Sequence, residues 1–210
     1  MLLAVWQDAA GSLRRMRFVG TGGSFNEASG EVASVSGGSS NKATSENASV
    51  TGGVFNIASG DASSVTGGDS NEASGEFASV TAGRGNKAVG EESSVTGGQQ
   101  NTASGLLASV NAGTLNTASG GGASVTGGKQ NTASGLGASI TGGEQNTASG
   151  VFASVSGGFS NMATAQSSSI GGGLRNQATG RDESIAGGDD VVCNSSGNAW
   201  VCGDGEHGAL

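Results

Sequence analysis

A fifteen-residue repeat runs without interruption from Phe18 to Asp182, and eleven copies follow one another. Each copy approximates the pattern A-S-V-T-G-G-x-x-N-x-A-S-G-x-x. We number its positions 1 to 15, so that Phe18 occupies position 1 of the first copy. A period this short and this regular is typical of a solenoid in which each repeat forms one coil.

The composition supports an ordered solenoid rather than a fibrous or disordered chain. The 210 residues include 42 glycines and no proline, but the glycines do not follow the triplet period of collagen. A flexible Gly/Ser linker has no reason to keep glycine, asparagine and branched apolar residues at fixed positions. We therefore expect one elongated domain, with eleven coils spanning roughly 50 Å at the spacing of a β-sheet.

Two positions of the repeat are predicted to face the core. Position 3 holds valine or isoleucine in ten successive copies, from Val35 to Ile170, and these β-branched residues favour strands. Position 11 is alanine in all eleven copies, from Ala28 to Ala178, and supplies a second strand. The expected fold class is therefore all-β, a parallel β-solenoid with 15 residues per coil, about 11 coils and terminal caps.

Glycine and asparagine mark the predicted corners of the coil. Position 6 is always glycine, and positions 5 and 13 are glycine in most copies. Such glycines indicate a positive φ or a close backbone approach. Position 9 is asparagine from Asn26 to Asn176, which fits either a left-handed backbone or a ladder of stacked amides. Both interpretations give this asparagine a structural role.

The predicted core is thin, because each coil buries only one valine and one alanine. We therefore expect further burial, through self-association along a flank or through firm caps. Positions 8 and 15 carry large apolar residues that fit a partly covered edge or, equally, tolerated surface residues. These residues are Phe25, Phe55, Leu115, Val32, Phe77, Leu107 and Phe152.

Positions 2 and 4 flank the buried position 3 and should point outward. Position 2 is mostly serine, position 4 is mostly threonine or serine, and neither carries a charge in any copy. We call these rows the Ser/Thr face and take them as the candidate binding face. Its candidate residues are Ser49, Thr51, Ser64, Thr66, Ser79, Thr81, Ser94, Thr96, Ser124, Thr126, Ser139 and Thr141.

The ends of the chain are predicted to cap the solenoid. Residues 1–17 should form a cap with a hairpin, residues 18–190 the solenoid, and residues 191–210 a second cap. In the second cap, apolar runs ending at Cys193 and Cys202 flank a turn and indicate another hairpin, with Trp200 over the last coil. A Cys193–Cys202 disulfide is the favoured interpretation and implies an oxidising compartment; the alternative is a pair of reduced thiols.

Several functional classes find no support in the sequence. A net charge of −8 offers no basic surface for nucleic acid, and no apolar run is long enough to span a membrane. No acid–base pair, nucleophile or phosphate loop is present, so we expect neither an enzyme nor a cofactor. Four acidic residues near the C-terminus could ligate calcium, but they lack a known ligand spacing. They are Asp189, Asp190, Asp204 and Glu206.

The repeat resembles the head repeat of trimeric autotransporter adhesins, the YadA-like head family. The resemblance rests on the Ser49-Val50 pair, the Gly53 corner and the Ala58-Ser59-Gly60 segment, and it extends over residues 18–188. It implies a left-handed parallel β-roll in an extracellular or cell-surface homotrimer that binds matrix or host surfaces. The chain departs from that family in its longer coil and in the glycine that replaces a second large apolar residue after the valine.

A weaker resemblance connects the chain with the ice-binding β-rolls of grasses. Those proteins have coils of similar length, N-x-[VA]-[ST]-G segments such as Asn101–Gly105, and stacked Ser/Thr rows. This resemblance implies that the Ser/Thr face orders water and binds ice. The sequence thus leaves two hypotheses, an adhesin-like structural protein and an ice-binding protein.

Overall fold

Each coil contributes one two-residue strand to each of two parallel sheets. The structure is a computed structural model, which describes the backbone of residues 2–7, 13–19, 22–194, 200–203 and 206–209 and the side chains of residues 22–194 and Cys202. The predicted turns at 8–11 and 194–198 fall largely outside these residues, as does the side chain of Trp200. In the described part of the chain all regular structure is β-structure, and the coils number about 11. The predicted fold class is confirmed.

The chain comprises two compact units, Met1–Gln100 and Asn101–Leu210. In both units, positions 2 and 3 form one sheet, which we call the valine sheet, and positions 10 and 11 form the other, the alanine sheet.

In the first unit the valine sheet contains, in spatial order, β1 Leu2–Gln7, β2 Leu13–Val19, β4 Ser34–Val35, β6 Ser49–Val50, β8 Ser64–Val65, β10 Ser79–Val80 and β12 Ser94–Val95. Its alanine sheet contains β3 Glu27–Ala28, β5 Lys42–Ala43, β7 Ile57–Ala58, β9 Glu72–Ala73 and β11 Lys87–Ala88.

In the second unit the valine sheet contains β14 Ser109–Val110, β16 Ser124–Val125, β18 Ser139–Ile140, β20 Ser154–Val155, β22 Ser169–Ile170, β24 Ser184–Ile185, β26 Trp200–Gly203 and β27 Glu206–Ala209. Its alanine sheet contains β13 Thr102–Ala103, β15 Thr117–Ala118, β17 Thr132–Ala133, β19 Thr147–Ala148, β21 Met162–Ala163, β23 Gln177–Ala178 and β25 Val192–Cys193.

Identical positions of neighbouring copies pair with each other. Val125 pairs with Ile140 in the valine sheet, and Ala133 pairs with Ala148 in the alanine sheet. Position 7 adds a third row of isolated parallel bridges, such as Lys129 with Glu144. This register keeps every inward residue above another inward residue, which is why the repeat tolerates no change of phase.

The core is larger than the sequence predicted. Positions 3 and 11 are buried as expected, but position 1 is buried as well, and so is the asparagine of position 9. In one coil of the second unit, Ala123, Val125, Asn131 and Ala133 are all 0–1% exposed. The prediction of one valine and one alanine per coil was therefore incomplete. Small residues at position 1 pack beside the valine, and the asparagine fills the corner.

The asparagines form a ladder that links each coil to both of its neighbours. The Nδ2 of Asn131 donates to the backbone oxygen of Gly127 in its own coil and to that of Gly143 in the next, each at 3.0 Å. Its Oδ1 accepts a hydrogen bond from the backbone N–H of Asn146 at 3.0 Å. The ladder interpretation is confirmed, with bonds from side chain to backbone rather than between stacked amides.

The residues with a left-handed backbone do not include the asparagine at position 9 of the repeat. Three positions of the repeat have a positive φ. One is the glycine of position 6, for example +93° at Gly68, and the other two are positions 8 and 15. Bulky residues stand there, such as Phe25 with φ 59° and Phe152 with φ 56°. The prediction of a left-handed backbone for the asparagine at position 9 is therefore wrong. Its side-chain amide instead binds the carbonyl oxygens of the corner.

The N-terminal strands show a shift of one residue against the repeat. Strands β1 and β2 pair antiparallel, and β2 pairs parallel with β4. In that pair Val19, not Gly20, lies opposite Val35. The assignment of Phe18 to position 1 is thus corrected, because a branched apolar residue suits the position opposite Val35 better than glycine does.

At the C-terminus the predicted hairpin around residues 194–198 is wrong. Strand β25 pairs parallel with β23 in the alanine sheet, whereas β26 pairs parallel with β24 in the valine sheet and antiparallel with β27. The two apolar runs therefore continue the coil instead of pairing with each other. The predicted disulfide is present between Cys193 and Cys202, whose Cα atoms are 6.0 Å apart.

Candidate binding faces

The Ser/Thr face lies on the outer side of the valine sheet. In each copy the serine of position 2 is half-buried within its strand, and the residue of position 4, directly after the strand, is exposed. All twelve candidate residues follow this arrangement, with Ser49, Ser64, Ser79, Ser94, Ser124 and Ser139 half-buried and Thr51, Thr66, Thr81, Thr96, Thr126 and Thr141 exposed.

The backbone N–H groups of this face donate to the neighbouring coil, and its side chains present hydroxyl groups. The N–H of Thr66 donates to the oxygen of Val80 at 3.0 Å, and the N–H of Thr126 donates to that of Ile140 at 2.9 Å. Successive rows repeat at the inter-strand distance of about 4.8 Å. The face therefore presents evenly spaced hydroxyl groups with no charge among them.

A second uncharged face, which the sequence analysis missed, lies on the alanine sheet of the second unit. There positions 10 and 12 are threonine and serine in four successive copies, and they flank the buried alanine. Its residues are Thr102, Ser104, Thr117, Ser119, Thr132, Ser134, Thr147 and Ser149. The recurring Thr-Ala-Ser tripeptide was the available signal. It was obscured by charges at position 10 in the first unit, such as Glu72 and Lys87.

Charged residues form short ladders away from the Ser/Thr face. Lys129 and Glu144 approach to 2.9 Å, and Lys87 and Glu72 to 3.0 Å, all on neighbouring coils. These pairs are half-exposed, and such pairs contribute about 0–1 kcal/mol each. Position 14 in the first unit is an unbroken acidic row of Glu31, Glu46, Asp61, Glu76 and Glu91.

Large apolar side chains line positions 14 and 15 of the second unit. We call them the apolar edge; they are Leu106 (51% exposed), Leu107 (55%), Leu136 (56%), Val151 (39%) and Phe152 (61%). Phe152 lies over Gly137, where an added Cβ would come within 2.6 Å of its ring. The glycine thus leaves room for the ring to pack against the coil. All seven predicted apolar residues at positions 8 and 15 are exposed within this chain.

The acidic residues near the C-terminus are partly neutralised by an arginine. Arg175 binds Asp190 at 2.7 Å and Asp189 at 3.2 Å. The hydrogen bond to Asp190 and its charge, followed by the bond to Asp189, raise the pKa of Arg175. Asp204 lies outside the described residues, as does the side chain of Glu206. Among the side chains that the structure describes, no group of three or more His, Cys, Asp or Glu is placed to hold a metal ion.

No model of a protein family matches the chain, and no curated protein matches it. Over the described residues, the structure has no helix with the length and apolar character needed to cross a membrane. What the geometry provides is a parallel β-solenoid with regular repeats and flat outer rows of hydroxyl groups. Such rows present the same group many times, so they fit a partner that is itself repetitive or extended.

Proposed function

We propose that the protein is an extracellular structural protein that binds matrix or cell surfaces through the Ser/Thr face, as adhesin heads do, rather than an enzyme. The in-register repetition of uncharged hydroxyl groups on the valine sheet carries the proposal. Weak contacts at single coils add up when many coils engage one surface. The buried disulfide between Cys193 and Cys202 supports the extracellular location, because such bonds persist in oxidising compartments.

Binding to an immobilised extracellular-matrix extract tests this proposal. The variant Thr126→Lys/Thr141→Lys places two long charged side chains on the face and should weaken retention of the purified protein by about tenfold or more. The matched control is Gln130→Lys/Gln145→Lys, which adds the same charges at exposed position 8 of the same two copies. Equal retention of both variants would contradict the assignment of the face.

We also propose that the apolar edge is buried between copies of the chain in a homo-oligomer, such as the trimer that the adhesin resemblance implies. Five large apolar side chains that stay 39–61% exposed support self-association. Light scattering should show an oligomeric mass that Leu136→Asp/Phe152→Asp reduces to that of a single chain. The control Gln166→Asp should leave the mass unchanged. Gln166 is exposed at position 14 of the copy that follows the apolar edge. A single-chain mass for the unmodified protein would contradict this proposal.

Ice binding is the second candidate function. The flat hydroxyl rows favour it, and in the second unit both sheets carry such rows, on the Ser/Thr face and on the Thr-Ala-Ser rows of positions 10 and 12. The purified protein should then show thermal hysteresis and shape ice crystals, and Thr126→Lys/Thr141→Lys should reduce both effects. Matrix binding without hysteresis would support the adhesin-like function and exclude this one.

A further inference from the structure

The two cysteines occupy core positions of two consecutive coils at the C-terminal end of the solenoid. Cys193 pairs with Ala178 and so takes position 11 of the alanine sheet, and Cys202 pairs with Ile185 and so takes position 3 of the valine sheet. Both are buried, at 1% and 3% exposure. Their disulfide therefore crosses the core and ties the last strand of one sheet to the other sheet.

The coil of Cys193 lacks the asparagine that holds earlier corners. Position 9 is Val191, whose N–H still donates to the Oδ1 of Asn176 at 2.9 Å. In the preceding coil the Nδ2 of Asn176 binds the oxygens of Gly172 and Gly188 at 2.9 and 3.0 Å, and valine offers no such donor. The noncovalent ladder therefore ends at Asn176, and the disulfide is the cross-link of the coil that follows.

The connection between the two sheets is also longer here. Cys193 and Cys202 are nine residues apart, whereas the equivalent Ala178 and Ile185 are seven apart. The disulfide thus joins the two sheets at the point where the other coils have a shorter connection of constant length. Beyond it, β26 covers the edge of β24, and β27 pairs with β26 in turn. A parallel strand without such a cover is open to pairing with another chain.

We propose that the Cys193–Cys202 disulfide is a redox-sensitive latch that holds the β26–β27 hairpin on the C-terminal end of the solenoid. When the latch is reduced, the hairpin detaches, and the bared edge of β24 pairs with the same edge of a second copy of this chain. The latch is closed in an oxidising compartment and opens in a reducing one.

The reductant is a dithiol. One of its thiolates attacks a cystine sulfur, the S–S bond breaks, and a mixed disulfide forms while the other protein sulfur leaves as a thiolate that takes up a proton. The second thiol of the reductant then displaces the first protein sulfur. Two electrons and two protons pass to the protein, and the dithiol becomes a cyclic disulfide. Because both cysteines are buried, attack follows local opening of the hairpin, so the reduction is slow in the folded protein.

The product of opening is a closed dimer rather than a filament. At the N-terminal end, β1 and β2 pair antiparallel and β2 covers β4, so the valine sheet is already capped there. Only the C-terminal end of the valine sheet is bared. When two identical ends meet about a two-fold axis, both of the edges that reduction bares are paired, so this pairing does not propagate.

The variant Cys193→Ala/Cys202→Val tests the latch without disturbing the core, because alanine and valine are the ordinary residues of positions 11 and 3. We expect hydrogen exchange in residues 200–209 to be about tenfold or more faster than in the oxidised protein, with residues 102–178 unchanged. Light scattering should show a doubled mass. The unmodified protein treated with dithiothreitol, with free thiols counted by alkylation, should behave in the same way.

Unchanged exchange of residues 200–209 in both the variant and the fully reduced protein would overturn the latch. Faster exchange without a doubled mass would overturn the pairing of bared ends. Growth into species larger than twice the starting mass would overturn the closed dimer. None of these outcomes depends on matrix or ice binding, so the latch and the proposed function are tested separately.

Discussion

Asparagine at position 9 connects the corner of one coil to the next. The amide of Asn131 binds two backbone oxygens and one backbone N–H; the Gly143 oxygen also accepts the N–H of Lys129, but the Gly127 oxygen and the Asn146 N–H depend on this side chain. An unsatisfied buried polar group costs about 1–3 kcal/mol. The ladder therefore explains why this position does not vary among the eleven copies.

The substitution Asn131→Ala should lower the free energy of unfolding by about 2 kcal/mol or more, because it leaves the Gly127 oxygen and the Asn146 N–H without their partner. Urea unfolding followed by circular dichroism measures the change. The control Ser134→Ala alters an exposed hydroxyl of the same copy and should stay within about 0.5 kcal/mol of the parent. A similar loss in both variants would contradict the ladder.

Glycine at position 13 is favoured by space rather than by its φ, although Ser45 and Ala165 occupy this position in two copies. A Cβ on Gly120 would collide with the backbone oxygen of Gly135 in the next coil, whereas one on Gly127, at position 5, would meet nothing within 4 Å. Gly120→Ala should therefore lower the melting temperature by several degrees, and Gly127→Ala should leave it nearly unchanged. Position 5 already accepts Ala82 and Ala112. Equal melting temperatures for the two variants would disprove the steric account.

At the scale of the element, each strand of the repeat is only two residues long, yet its residues divide between the core and the solvent-facing side. Val125 is 1% exposed, and Thr126 directly follows it on the outside. Val125→Thr keeps the shape but buries a hydroxyl, so it should destabilise by about 1–3 kcal/mol. Thr126→Val should change stability by no more than about 0.5 kcal/mol. Denaturant midpoints of the two variants measure the difference, and a larger effect at Thr126 would reverse the assigned faces.

The strands of the repeat were predictable because they recur in phase. Position 3 is valine or isoleucine and position 11 is alanine in nearly every copy, and this period identified the two sheets. It also identified the Ser/Thr face, because positions 2 and 4 lie on either side of position 3. Position 1 was missed because its alanines and serines, such as Ala123 and Ser63, carry no hydrophobic signal of their own. They are buried by the packing of the corner and not by their own apolar character.

Features that depend on one coil meeting the next were harder to predict. The left-handed backbone at positions 8 and 15 carries residues as different as Phe25 and Gln130, so composition gives no sign of it. The C-terminal hairpin was mispredicted for a similar reason. Local turn residues around 194–198 suggested pairing of the two apolar runs, but each run pairs with the strand that precedes it in its own sheet.

At the scale of the whole molecule, the unit of construction is one complete coil. Each coil contacts only its neighbours, so stability is nearly a sum over coils and interfaces. Removal of one full repeat should therefore cost little. Removal of half a repeat should cost more, because it deletes an alanine-sheet strand and leaves the next valine strand without a route to its own sheet.

Paired deletions test this claim most directly. The deletion of residues 117–131 removes fifteen residues and joins Asn116 to Thr132 in phase, while the deletion of residues 117–124 removes only eight. We predict that the longer deletion folds, melts cooperatively and retains slow hydrogen exchange in residues 132–178. The shorter deletion should lose that protection in the adjoining coils. If the shorter deletion proves equally stable or more stable, the fifteen-residue coil is not the structural unit of this protein.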